Sequence, residues 1–169
     1  MFHRYAQGIP LANLSQMVNC IGIICSGHKG TFLTPSGLVF KIYTEHAGKM
    51  LLPSHVDCPT IPHETGLPVL DLSATRTDNR LALFVVNRHY DAQVNTTVLL
   101  KGVRHGSVDN YLEISHPNPI HYNTYTEPNE IQISKINKDI EITHEGSGAV
   151  FDIRLPAHSL TCIEISIRY

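Results

Sequence analysis

Apolar and polar positions change their period partway along this chain. Near the middle, Leu81-Ala82-Leu83-Phe84-Val85-Val86 runs without a polar residue before Asn87 and Arg88. The run is rich in β-branched and aromatic types and too short for an ordinary globular helix, so it predicts a strand covered on both faces. Thr77-Asp78-Asn79-Arg80 before it is a turn cluster, and Val69 to Thr75 alternates apolar and polar residues. Together they predict a hairpin. Downstream, Val94 to Lys101 puts Val94, Thr96, Val98 and Leu100 on one face, and Ser107 to Ser115 puts Val108, Leu112 and Ile114 on one face. Glu130 to Ile136, Asp139 to Thr143, Ala149 to Leu155 and Ser159 to Ile167 follow, with turn residues such as Glu145-Gly146-Ser147-Gly148 and Leu155-Pro156 between them. In the last run Thr161, Ile163, Ile165 and Ile167 share an inner face and leave Glu164 and Ser166 outward. Short strands at this spacing predict a mainly β fold, a two-sheet antiparallel β-sandwich of jelly-roll-like or immunoglobulin-like type.

The first third follows a different period. Leu11, Leu14, Val18 and Ile21 fall on one stripe of a helix that Pro10 is placed to start, and Gln16 lies off that stripe as a surface glutamine. Gly8 and Pro10 break any continuous helix from Phe2. Cys20-Ile21-Gly22-Ile23-Ile24-Cys25 then has the length of a buried parallel-sheet strand. After Ser26-Gly27-His28-Lys29-Gly30, the segment Thr34-Pro35-Ser36-Gly37 opens a second helix, with Leu38, Val39, Ile42, Tyr43 and His46 on helical spacing and Gly48 at its end. From Lys49 onward Pro53, Pro59, Pro62 and Pro68 punctuate an extended linker or edge strand. Residues 1–48, read as helix-strand-loop-helix, are therefore set apart from a sandwich over 49–169.

Composition narrows the function classes. A chain of 169 residues is long enough for one cored domain, and its 42% hydrophobic content places it among globular proteins. No apolar run approaches the ~20 residues of a spanning helix, so no membrane partner is expected. The net charge of −2, spread without long single-sign runs, argues against a nucleic-acid surface. Cys20, Cys25, Cys58 and Cys162 lack zinc-type spacing; with no secretory leader, buried free thiols and a cytoplasmic setting are expected. Asn13-Leu14-Ser15 and Asn95-Thr96-Thr97 fit the glycosylation triplet, which arises often by chance.

Catalytic chemistry is hard to place. Glu113, Glu127, Glu130, Glu141 and Glu145 sit in strand ends and turns where solvation explains them, and none forms a recognisable pair for glycoside cleavage. No nucleophile elbow or phosphate loop occurs, so neither a catalytic residue nor a cofactor is assigned. Eleven histidines include no H-x-x-x-H, and the nearest two, His116 and His121, flank a Pro-Asn-Pro turn; no metal site is expected from this spacing. Tyr111, Tyr122 and Tyr125 are the aromatic residues suited to a sugar platform, the last two beside Asn123 in a loop.

Several blocks, taken in register, resemble the C-terminal part of α-L-arabinofuranosidases of glycoside hydrolase family fifty-one. They are Phe2-His3-Arg4-Tyr5-Ala6, Leu11-Ala12-Asn13-Leu14-Ser15-Gln16-Met17-Val18-Asn19, Phe32-Leu33-Thr34-Pro35 with Val39-Phe40-Lys41-Ile42-Tyr43, Leu81 to Arg88, and Leu155 to Thr161. The resemblance covers nearly the whole chain, and the block around Gln16 is its most specific part. It implies retaining hydrolases that pair a (β/α)8 barrel with a C-terminal β-sandwich, so residues 1–48 correspond to a short α/β remnant of the barrel. It also implies that the acid/base and nucleophile glutamates belong to earlier barrel strands, upstream of this chain. Gln16 matches the family's arabinose-binding glutamine, a role it would fill only in a complete enzyme. Gly8-Ile9-Pro10 interrupts a helix that is continuous in relatives, and Ser36-Gly37-Leu38 replaces a stretch commonly aromatic and histidine-bearing.

The expectation is thus the C-terminal part of an arabinofuranosidase acting on arabinose-containing hemicellulose, a truncated fragment inactive alone. The rival reading is a stand-alone carbohydrate-binding or assembly module using Tyr122 and Tyr125. Expected partners are an arabinose-containing polysaccharide, an upstream barrel chain, or a second copy covering the edges of an unclosed barrel.

Overall fold

The structure, a computed structural model, describes the chain apart from residues 1, 2, 10, 15, 63, 65, 138 and 169 and the side chain of residue 4. After a 3-10 turn at His3–Tyr5 the elements run β1 (Ile24–Gly27), β2 (Gly30–Leu33), α1 (Pro35–His46), β3 (Met50–Leu52), β4 (Leu70–Thr77), β5 (Arg80–Asn87), β6 (Val94–Lys101), β7 (His105–Ile114), β8 (Ser134–Lys135), β9 (Thr143–Glu145), β10 (Gly148–Leu155) and β11 (Ser159–Arg168). All pairings between these strands are antiparallel. One sheet has the order β3-β4-β5-β11-β7-β8, a second the order β6-β10-β9, and β1 and β2 form a hairpin by themselves.

Three layers result, and β5 lies in the middle one. Leu81, Leu83 and Val85 point into the core between the sheets, where they meet Leu100, Phe151, Ile153 and Leu155 of the smaller sheet. Ala82 and Phe84 point the other way, into a second core under Leu38 and Ile42 of α1. Both faces are covered, as the unbroken apolar run requires. The β4–β5 hairpin closes through Asp78 and Asn79 with Thr77 opposite Arg80, and Asp78 takes a left-handed φ of 52°. Asp tolerates that conformation in tight turns.

The helix begins where its sequence says it should. Thr34 Oγ1 accepts from Gly37 N at 3.2 Å, and Pro35 occupies the first helical position, where no N–H is needed. Its inner face stacks Tyr43 on Phe84 with ring centroids 4.3 Å apart. Edge-on to both rings, His3 reaches in to Ser73 Oγ at 3.1 Å and ties the chain start to the large sheet. Burial lowers the pKa of the His3 imidazole.

Five expectations are corrected. Residues 11–14 and 16 form no helix, and Gln16, Asn19 and Cys20 adopt left-handed φ values of 57°, 61° and 49°. An amphipathic helix gains most of its stability from packing its stripe, and here Leu11 and Ile21 are each 75% exposed. The strand expected at Cys20 to Cys25 is displaced to Ile24–Gly27 and pairs antiparallel with β2; its one parallel feature is a bridge between Val18 and Ile24. In β7 a register shift leaves Asp109 between Val108, opposite Ile165, and Asn110, opposite Glu164. One extra residue exchanges the faces, so Val108 packs between the sheets while Leu112 and Ile114 face α1. Glu164 is buried at 3% exposure, because the face it shares is roofed by α1. It accepts from Asn110 Nδ2 at 2.7 Å and lies 3.2 Å from His46 Nδ1 and 3.5 Å from Arg80 Nη1. Finally, the runs expected at Glu130 to Ile136 and Asp139 to Thr143 shrink to β8 and to β9, which starts at Thr143.

Candidate functional site

Two of the residues singled out by chemistry, Tyr122 and Tyr125, meet in one cleft of about 560 Å3 between the β1–β2 hairpin, the start of α1 and the loop carrying residues 122 to 125. The hairpin's own approach is built from close backbone contacts. A Cβ on Gly22 would stand 2.7 Å from the carbonyl oxygens of Gln16 and Met17, and one on Gly37 would stand 2.2 Å from that of Ile23. Only glycine fits at these two positions. Residues 16 to 24 close on themselves through Asn19 N to Ile24 O at 2.7 Å and Ile24 N to Met17 O at 3.1 Å. Thr34 Oγ1, besides capping α1, donates to Gly22 O at 3.1 Å and joins this loop to the helix.

The opposite wall is held by a buried asparagine. Asn123 is 6% exposed; its Nδ2 donates to Leu33 O at 3.0 Å and Ile131 O at 2.9 Å, and its Oδ1 accepts from Ile131 N at 2.7 Å. Each of these backbone groups would otherwise lose a partner in a dry setting. The Asn123 clamp thereby fixes Tyr122 and Tyr125 beside β2. Tyr125 packs edge-on to Phe32 with centroids 5.2 Å apart, and its hydroxyl lies over Gly27. Tyr122 remains 65% exposed and Tyr125 41%. The two are open enough for a flat face to lie on them, and their wall is anchored from below by Asn123.

The sequence candidates separate on this geometry. Tyr122 and Tyr125 line the cleft. Gln16 is exposed and does not line it, although its carbonyl abuts Gly22, which does. Tyr111 is excluded from any platform, being 2% exposed with its hydroxyl donating to Arg154 O at 2.9 Å; burial pushes its pKa up to about 12. Among the cysteines only Cys162 is fully buried, while Cys20 is exposed, which corrects the expectation of buried thiols. Asn123, whose burial organises the cleft, carried no signal beyond its place in a Pro-rich loop.

A second cleft, of about 820 Å3, runs along the small sheet and holds Asp139, Glu141 and Asp152. Asp152 accepts from Thr97 Oγ1 at 2.6 Å, so one of its acids already serves the sheet. Glu141 is its single glutamate, and no second one lines it. Two facing carboxylic groups of matched spacing are what glycoside cleavage uses, and neither cleft presents a glutamate pair among its lining residues.

Comparison with known proteins places this geometry. A family model described as the α-L-arabinofuranosidase C-terminal domain matches residues 1–159. An intracellular exo-α-L-arabinofuranosidase of Bacteroides ovatus is 25% identical, the match covering 98% of this chain and 32% of that protein. Among solved structures, the α-L-arabinofuranosidase of Thermotoga maritima, an arabinose complex, superposes with a TM-score of 0.84 at 23% identity, over 96% of this chain and 35% of its own. The family fifty-one arabinofuranosidase of Xanthomonas axonopodis pv. citri gives 0.82 at 23% identity, over 98% and 33%. The chain thus spans about a third of the length of the relatives it matches, and the two solved structures share its fold throughout.

Proposed function

The chain belongs to the α-L-arabinofuranosidase C-terminal domain family, and from that we propose that it serves a retaining arabinofuranosidase by packing against the catalytic barrel rather than by hydrolysing glycosides alone. The observation that carries this reading is the surface of residues 11 to 21. Leu11 and Ile21 are 75% exposed, Met17 66%, Val18 48% and Leu14 44%, five large apolar side chains within eleven residues, whereas the other exposed leucines and isoleucines, Leu51, Leu67, Leu99 and Ile120, are scattered along the chain. Apolar surface concentrated in this way marks a face that another polypeptide covers. On this reading residues 1–48 complete the end of a (β/α)8 barrel, on the same chain or another, and 49–169 form the sandwich beside it. Gln16 then reaches the arabinose unit at the barrel mouth, and arabinose-containing hemicellulose is the substrate class. The description of the Bacteroides relative as intracellular supports a cytoplasmic setting, and no helix among the described residues is long and apolar enough to cross a membrane.

The test combines this chain with a barrel polypeptide of the family that ends where residue 1 begins. Co-purification and turnover of an aryl α-L-arabinofuranoside are expected for the mixture and not for this chain alone. Leu14→Asp with Ile21→Asp should abolish co-purification, and Gln16→Ala should lower turnover while the complex persists. Turnover by the isolated chain that a single Glu→Gln substitution removes would overturn the reading. Calorimetric titration with arabinan and xylan oligosaccharides addresses the rival: saturable binding by the isolated chain, lost in Tyr122→Ala and Tyr125→Ala, would make it a carbohydrate-binding module.

A further inference from the structure

In the same stretch of chain that carries Tyr122 and Tyr125, three potential metal ligands meet. One donor atom each from His116, His121 and Glu130 lie within 4.8 Å of one another. We propose that these three residues bind a single divalent transition-metal ion, zinc by preference, which pins the loop of residues 115 to 131 to the sandwich.

The residue chemistry suits that ion. Two imidazoles and one carboxylate form a donor set that zinc accepts in tetrahedral geometry, leaving one position for water. His116 Nε2 faces Glu130 Oε1 at 3.4 Å. On the other side of the same ring, Nδ1 stands 3.0 Å from both the amide nitrogen and the carbonyl oxygen of Asn118. With its proton on Nδ1, His116 donates to that carbonyl and turns the Nε2 lone pair towards the carboxylate. Without an ion the amide of Asn118 donates to Nδ1 and the proton on Nε2 faces Glu130; an ion between Nε2 and Oε1 displaces that proton, and Nδ1, protonated, turns its bond to the carbonyl. A histidine whose second nitrogen donates to a backbone carbonyl is the usual outer arrangement of a ligating imidazole.

His121 supplies an independent observation. Its Nε2 is buried and has no hydrogen-bond partner among the described residues. A buried ring nitrogen without a partner is destabilising, and a metal bond would supply the missing partner. The backbone around the three ligands is already held: His158 Nε2 contacts the His116 carbonyl, and Ile120 N donates to Asn118 Oδ1 at 3.1 Å. The His116 and His121 rings lie parallel with centroids 4.3 Å apart and 10° between planes. Sharing one ion therefore turns one ring about its Cβ–Cγ bond, and the half-exposed Glu130 side chain follows. Because Tyr122 and Asn123 come directly after His121, the ion would stiffen the wall of the candidate cleft.

The experiment is calorimetric titration of the untagged chain with zinc chloride, with thermal unfolding followed in parallel. One equivalent should bind and raise the unfolding midpoint. Glu130→Gln, a substitution at an exposed side chain that leaves the fold intact by near-ultraviolet circular dichroism, should weaken binding by at least the roughly ten- to hundredfold that losing a residue which only supports a ligand costs. His121→Ala should abolish it, and Cys20→Ser with Cys25→Ser should leave it unchanged. Absence of saturable heat, or stoichiometric binding that survives Glu130→Gln and His121→Ala, or binding lost only with the two cysteines, would overturn the proposal. None of these outcomes depends on barrel association, so this site and the proposed function stand or fall separately.

Discussion

At the scale of single residues, burial rather than residue type sorts the reactive groups. Cys162 is fully buried in the layer beneath α1, and burial, with Glu164 adding to it, pushes its pKa up to about 12. At pH 8 its thiolate fraction is then about one in ten thousand, so it is inert to thiol reagents that need the anion. Titration of the native protein with a chromogenic disulfide should label Cys20 and spare Cys162 until denaturant is added; a native Cys162 adduct on mass spectrometry would contradict the buried placement. The sign of the linked pH effect follows. An unfolded thiol ionises near its ordinary value of 9.0, so the unfolded state loses this proton first. Stability supplied by this group is full below about pH 9 and is lost between there and about pH 12. Buried polar anchors were the least legible residues. Asn87 donates from Nδ2 to the carbonyls of Ala92, Leu155 and Pro156 and accepts from His89 N, yet in sequence it is merely the polar end of an apolar run. Asn123 is equally silent, because its partners lie at Leu33 and Ile131 and no local pattern encodes them.

Elements were legible wherever their own residues decide their period. The apolar run from Leu81 and the Thr34-Pro35 helix start both hold, since two-sided burial and N-capping are written in consecutive residues. What failed was set by something the run does not contain. The extra residue in β7 exchanges its faces, and Leu11, Leu14, Val18 and Ile21 belong to neither core among the described residues, so nothing there holds their stripe helical. The three-layer arrangement can be tested through β5, whose successive side chains belong to different cores. Phe84→Ala should cost about 3–5 kcal/mol and Leu83→Ala about 2–5 kcal/mol in denaturant unfolding. Native-state hydrogen exchange should separate them, Phe84→Ala loosening the amides of α1 and Leu83→Ala those of β6 and β10. Equal loosening of both layers by either substitution would mean that the two cores open as one.

For the whole molecule, the balance between covered and uncovered surface is the controlling feature. Two cores share the central sheet and take side chains from β4 to β7, β10 and β11, while the segment that precedes α1 turns leucine, methionine, valine and isoleucine side chains to solvent. A Leu or Ile taken from full exposure to full burial stabilises an interface by about 1.5–3 kcal/mol, so several together favour contact with whatever apolar surface is present. In the proposed enzyme that surface is the barrel. In a preparation of this chain alone, the available surface is a second copy. Sedimentation velocity should therefore show self-association that grows with concentration, and Leu11→Glu with Ile21→Glu should return the chain to a monomer. Those two side chains bury almost nothing within the chain, so the far-ultraviolet spectrum and unfolding midpoint should not move. A wild-type chain that stays monomeric while residues 11 to 33 are protected from hydrogen exchange would show that the segment finds its cover internally. The barrel would then lose the surface on which its docking depends, because a stripe already buried against its own sandwich has nothing left to offer a partner.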